Sequence, residues 1–164
     1  MNPAVQEQLK VLRHHLHVLH SAFLESLRYR FEIAKGQPVN AYTWFHIVTQ
    51  DPDYTWIKPF NEIVMDLDIL LENNNATEAD ASTIRTELDS LFTQGEGNPF
   101  AQKFLELLVN DSDLMLNYHH FKSARDKVPE IKDVSEPAVQ MRLRWRSQNQ
   151  INMRASARKQ TTDS

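Results

Sequence analysis

Between Pro3 and about Lys35 the apolar residues Val5, Leu9, Leu12, Leu16, Leu19 and Phe23 follow one another at intervals of 4-3-4-3-4. That spacing holds a single stripe on a helix of about 3.5 residues per turn. It predicts a long amphipathic helix, ended by Gly36 and Pro38. A thinner stripe of Val11, Val18, Ala22, Tyr29 and Ile33 lies on another side, so the helix is expected either to pack in two directions or to offer one stripe to a second copy.

The same reading runs on through the chain. Asn40 caps a short helix from about Ala41 to Gln50, which stops at Asp51-Pro52 because proline disfavours the helical conformation of the residue before it. Phe60, Ile63, Val64, Leu67, Leu70 and Leu71 form the buried face of the next helix. Pro59 must then sit in its first turn, with the cap at Asp53 or Thr55. After a turn at Asn73-Asn74-Asn75, Thr77 and Asp80 have capping-box spacing and open a helix that buries Ile84, Leu88, Leu91 and Phe92. Asn98-Pro99 starts a helix carrying Phe100, Phe104, Leu107 and Leu108, and Ser112 caps one with Leu114, Tyr118 and Phe121. Four main helices plus two short ones joined by short loops predict an all-α, up-and-down helical bundle over residues 1–128.

Residues 129–164 break the pattern. Val139-Gln140-Met141-Arg142-Leu143-Arg144-Trp145-Arg146 alternates apolar and polar positions, as a strand with one apolar and one cationic face would. The expectation is an extended basic C-terminal tail, partly disordered, that docks onto something else. Charge sharpens this: residues 1–128 hold 11 Lys+Arg against 18 Asp+Glu, and residues 129–164 hold 7 against 4. Either the tail folds back on its own acidic body or it stays free for a partner. The acidic body is not expected to grip nucleic acid phosphates, which require clustered cations.

Composition removes several function classes. At 164 residues with 41% hydrophobic content the chain can build one sizeable core. Cysteine is absent, which excludes disulfides, a thiolate nucleophile and cysteine-ligated zinc. No run approaches the ~18 apolar residues of a membrane span, and the first ten residues are too polar for a signal peptide, so a cytoplasmic protein without membrane contact is expected. Seven histidines include His14, His15, His17 and His20 on the first helix, yet neither Glu-x-x-His pairs from two helices nor hemerythrin-like spacings occur. No metal or cofactor is therefore expected, with His20 bonded at the core edge and the others facing solvent. Asp66 and Asp68 flank their helix's apolar face on opposite sides and cannot pair as acid and base. With three glycines there is no phosphate loop. An enzyme is not expected.

Large rings gather around one turn. Trp44, Tyr54 and Trp56 either pin a connection as core or line a cleft, in which His46 and Lys58 would orient a ligand. The segment Asp51-Pro52-Asp53-Tyr54-Thr55-Trp56-Ile57-Lys58-Pro59, following a first helix with Leu19-His20, Glu25 and Glu32, resembles a group of uncharacterised bacterial helical proteins that carry Asp-Pro-x-aromatic-x-Trp-aliphatic-basic-Pro. The likeness covers about residues 10–125. It implies a bacterial helical bundle and brings no activity.

The functional expectation is a non-enzymatic interaction or regulatory protein. It would dock an unidentified protein partner through Val139, Met141, Arg142, Leu143, Arg144, Trp145 and Arg146. The alternatives are nucleic-acid association, with the tail's arginines on phosphates and Trp145 stacked on a base, and a ligand- or metal-binding bundle; a homo-oligomer stays open.

Overall fold

The structure, a computed structural model, describes residues 2–73, 76–132 and 134–162. Among these the chain is all-α. Seven α-helices run α1 (Pro3–Lys35), α2 (Ala41–Gln50), α3 (Lys58–Glu72), α4 (Glu78–Phe92), α5 (Pro99–Leu108), α6 (Ser112–Asp126) and α7 (Ala138–Thr162), with a 3₁₀ turn at Pro52–Ile57. The expected turn residues Asn74 and Asn75 lie outside the described residues.

Helix α1 is the spine. Asn2 caps it by accepting from Ala4 N at 2.9 Å, and Gly36 ends it at φ 72, a conformation that favours a residue without Cβ. Val5, Leu9, Leu12, Leu16, Leu19 and Phe23 are all buried, as their spacing predicts. The second stripe is mostly uncovered: Val11, Val18, Tyr29 and Ile33 are exposed, while Ala22 is half-buried against the core. Helix α6 runs antiparallel beside α1, since Ala124 and Lys127 share a groove with Ala4 and Gln8 while His120 meets His15. Helix α3 covers another side of α1, and its Phe60, Ile63, Val64, Leu67 and Leu70 complete the core.

Several local signals act as expected. Asn40 Oδ1 accepts from Thr43 N at 2.8 Å. Thr77 and Asp80 form a reciprocal capping box, with Thr77 N donating to Asp80 Oδ2 at 2.8 Å and Asp80 N to Thr77 Oγ1 at 3.2 Å. Two caps move. Helix α3 begins at Lys58 with no side-chain cap, because the preceding residues form the 3₁₀ turn that Asp51 caps through Asp53 N. Helix α6 is capped by Asp111, whose carboxylate accepts from Leu114 N at 3.0 Å, and Ser112 is its first residue.

At the centre, Phe23, Phe60, Phe92, Phe100, Phe104 and Phe121 make a continuous aromatic network with centroid separations of 5.0 to 5.7 Å between successive neighbours such as Phe60–Phe92 and Phe92–Phe104. Edge-on and tilted contacts dominate it, as ring quadrupoles favour. The largest departure from expectation is the form of the C-terminal segment, which is not extended: Ala138–Thr162 is the 25-residue helix α7, and its first part folds back on the acidic body, one of the two alternatives that the charge split left open.

Candidate functional site

Helix α7 consists largely of good helix formers, Arg, Met, Leu, Gln, Ala and Lys, and starts directly after Pro137, whose carbonyl accepts from Gln140 N and Met141 N. Its alternation resolves into two i,i+4 pairs. Met141 and Trp145 face inward and are 1% exposed, whereas Val139 and Leu143 on the other side are 66% and 47% exposed. A strict period of two over eight residues is thus also the signature of two opposite helix faces, and the neighbouring acidic body selects the helical solution.

The inward face meets two buried carboxylates. Asp66 on α3 is fully buried and accepts Arg142 Nε at 2.6 Å, Arg146 Nε at 2.8 Å and Arg146 Nη2 at 2.8 Å. The hydrogen bonds to Asp66 raise the Arg146 guanidinium above its ordinary range. Asp80 on α4 accepts Trp145 Nε1 and Arg144 Nη2, each at 3.0 Å, through the oxygen not used in the capping box, and Arg144 also reaches Glu136. Thr83 Oγ1 lies 3.0 Å from Met141 Sδ. The linker before α7 is pinned as well: Ile131 N donates to Ser82 Oγ at 2.7 Å, and Arg85 holds the Val128 carbonyl. Buried carboxylates are tolerated only when paired and hydrogen-bonded, and α7 supplies the cations.

Of the seven residues expected to meet a partner, Met141, Arg142, Arg144, Trp145 and Arg146 are therefore engaged with the chain's own body, and only Val139 and Leu143 face out. The receiving residues Asp66 and Asp80 were not legible as such. Their sequence signals are indirect: Asp66 borders an apolar helix face, Asp80 sits in a capping box, and the body is acidic where the C-terminal segment is basic.

Beyond Arg146 the helix changes character. From Gln150 to Thr162 every side chain is exposed. Arg154, Arg158 and Lys159 form no ion pair among the described residues. Sixteen residues, 147–162, span about 24 Å at 1.5 Å each; this arm holds no acidic residue.

The residues expected to form one cleft are distributed. Trp44 is buried between Phe31 and Tyr54, its Nε1 without a partner; His46 packs against Tyr42 and Phe45. Tyr54 and Lys58 line a small pocket of about 250 Å³. Trp56 alone lines a larger cleft of about 640 Å³, where the 3₁₀ turn and α3 contribute Trp56, Pro59 and Ile63, α4 contributes Glu87 and Leu91, and Arg142 of α7 closes one side.

Three of the histidines, His14, His15 and His120, meet where α1 passes α6, and His15 is half-buried rather than solvent-facing. His20 Nε2 donates to Asn61 Oδ1 at 2.7 Å and its ring stands edge-on to Phe60, with burial holding its pKa below the usual imidazole value. His17 Nε2 lies 2.8 Å from Asp68 Oδ1 at the surface. His15 stands edge-on to His14 and tilted against His120, and its pKa is lowered by desolvation and by those two rings. Among the described residues no three His, Asp or Glu side chains are placed to hold a metal ion, and no helix is long and apolar enough to cross a membrane. No protein family, curated protein or solved structure matches the chain.

Proposed function

We propose that the protein is a non-enzymatic interaction protein of the cytoplasm, in which the helical body is a base and the arm over residues 147–162 is the surface offered to an acidic partner protein. The observation that carries this reading is the contrast within α7. Within its first nine residues Arg142, Arg144, Trp145 and Arg146 are locked to Asp66 and Asp80, while Arg154, Arg158 and Lys159 stand exposed without counter-charge among the described residues. A polar helix with no packing partner is either held by one or marginally stable, since isolated helices of this length barely persist in water. The arm's cations select an anionic surface, and Ile151 and Met153, both exposed, supply apolar contact.

Affinity capture with the full chain against a chain ending at Arg146 tests this. The full chain should retain an acidic protein that the shortened chain loses, while both unfold with the same midpoint. Identical captured sets would overturn the proposal. Capture abolished by nuclease would transfer the arm to nucleic acid, which the same unopposed cations also suit, with the logarithm of the affinity falling linearly in log salt.

A further inference from the structure

The cleft of about 640 Å³ carries an inference independent of the arm. Its size falls within the range of small-molecule sites, about 300–1,000 Å³. Its walls are mainly apolar: Ile63, Leu91, Phe100 and the ring of Trp56. Trp56 shows the cleft no unmet donor, because its Nε1 already donates to Asp53 O at 3.0 Å. Asn98, also at the cleft, is equally committed, with Nδ2 donating to the carbonyls of Ser90, Leu91 and Thr93. Arg142 differs. Its Nε is fixed on Asp66, but its Nη2 is buried and meets no acceptor among the described residues.

An unmet guanidinium N–H costs more than a neutral one. Held by its Nε end, the group can turn its Nη end toward an oxygen placed in the cleft. We propose that this cleft binds a flat, uncharged apolar molecule bearing an amide-type group, with the carbonyl oxygen accepting from Arg142 Nη2 and the rings against Trp56 and Phe100. Charge decides against a carboxylate. The charged side chains lining the cleft are Arg142 and Glu87, of opposite sign, and Asp66 lies directly behind the guanidinium, so an anion gains no net attraction while Glu87 accepts from an amide N–H. Occupancy would add a contact to α7, so ligand and clasp reinforce each other.

Titration of the full chain with 1-naphthaleneacetamide, 1-methylnaphthalene and 1-naphthaleneacetate, followed by NMR, tests the assignment. The amide should shift the Trp56 indole N–H and the Ile63 and Leu91 methyl signals saturably, binding at least about tenfold more tightly than the hydrocarbon, as a hydrogen bond to a charged donor requires, and more tightly than the acid, which Glu87 repels. Arg142→Met should erase the advantage of the amide over the hydrocarbon, so that the two bind with equal affinity. Where that variant fails to fold, Ser90→Trp, at an exposed cleft residue, should abolish the shifts with the fold intact. Equal binding of amide and hydrocarbon, tighter binding of the acid, shifts away from the cleft, or none up to the solubility limit would each overturn the proposal.

Discussion

The two halves of α7 share one backbone, one sign of charge and no acidic residue, yet they have opposite fates. Residues 138–146 deliver Arg142 and Arg146 to a fully buried carboxylate and Trp145 to a second one; residues 147–162 carry Arg154, Arg158 and Lys159 into solvent. Charge composition alone does not separate them. What separates them is an apolar anchor at i,i+4 beside the cations, Met141 with Trp145, that draws the first half into the core. The second half offers Ile151 and Met153 only two residues apart, on different sides of the helix, and nothing closes over them.

The sharpest way to break this comparison is at the anchor. Trp145→Ala should destabilise the protein by about 3–5 kcal/mol, because it empties a buried ring site and removes the indole donor from Asp80. Leu143→Ala, two residues away in the same alternation, should cost under about 0.5 kcal/mol. Urea unfolding of both variants measures the difference. Similar losses would mean that the alternation binds by both faces and that α7 is not docked as described.

Removing the receiving carboxylate comes next. Asp66→Ala strands two guanidiniums, but Arg142 and Arg146 keep partial exposure and can turn toward water, so a loss of about 2–4 kcal/mol is expected rather than the full cost of a sealed unpaired charge. Replacing Arg154 by glutamine in the same background should add nothing. A change in m-value for Asp66→Ala alone would show that α7 has left the body.

That carboxylate marks where the sequence stopped being informative. The α1 stripe, the Asn40 cap, the Thr77–Asp80 box and the Asn98-Pro99 start were all legible, because each is decided within four residues of chain. The exposed second stripe of α1 was not, since apolar residues at helical spacing do not say whether a neighbour exists to cover them. Helix α7 failed for a related reason. Over eight residues a period of two and a pair of i,i+4 faces fit the same letters, and the deciding partner, Asp66, lies 76 residues before Arg142. Trp56 was the one aromatic of the expected site that reaches the large cleft, because which of five neighbouring side chains faces a cavity depends on α4 and α7, not on the turn itself.

A smaller effect comes from pH, and it should not distinguish the two halves of α7. His20 sits in the α1–α3 interface with its pKa lowered, by burial first, against the raising effect of its Asn61 bond. The folded protein therefore takes up this proton less readily than the unfolded chain, whose histidine titrates near 6.5. Stability is fully present above that value and is lost as pH falls through it toward the folded pKa. The urea midpoint should be lower at pH 5.5 than at pH 7.5, and His20→Gln should shrink the difference. His15, lowered in the same direction, accounts for part of what remains. A midpoint that rises on acidification would contradict the assignment of a neutral, buried His20.

The smallest expected effect on stability belongs to the arm, and it is where the comparison can be sharpened furthest. Arg154→Gln, Arg158→Gln and Lys159→Gln together should leave the unfolding midpoint within about 0.5 kcal/mol of the parent, since none of the three is paired among the described residues. Amide exchange should report the same division: protection through Trp145 and near-free exchange across residues 147–162, where no tertiary packing supports the helix. Binding should respond where stability does not. If three cations meet an acidic partner, the triple variant should bind more weakly and lose most of its salt dependence, because screened charge pairs supply the contact. A triple variant that unfolds early would place the arm within the packed body and erase the boundary at Arg146. One that binds as the parent does would leave Ile151 and Met153 as the contact and make the arm's charge incidental.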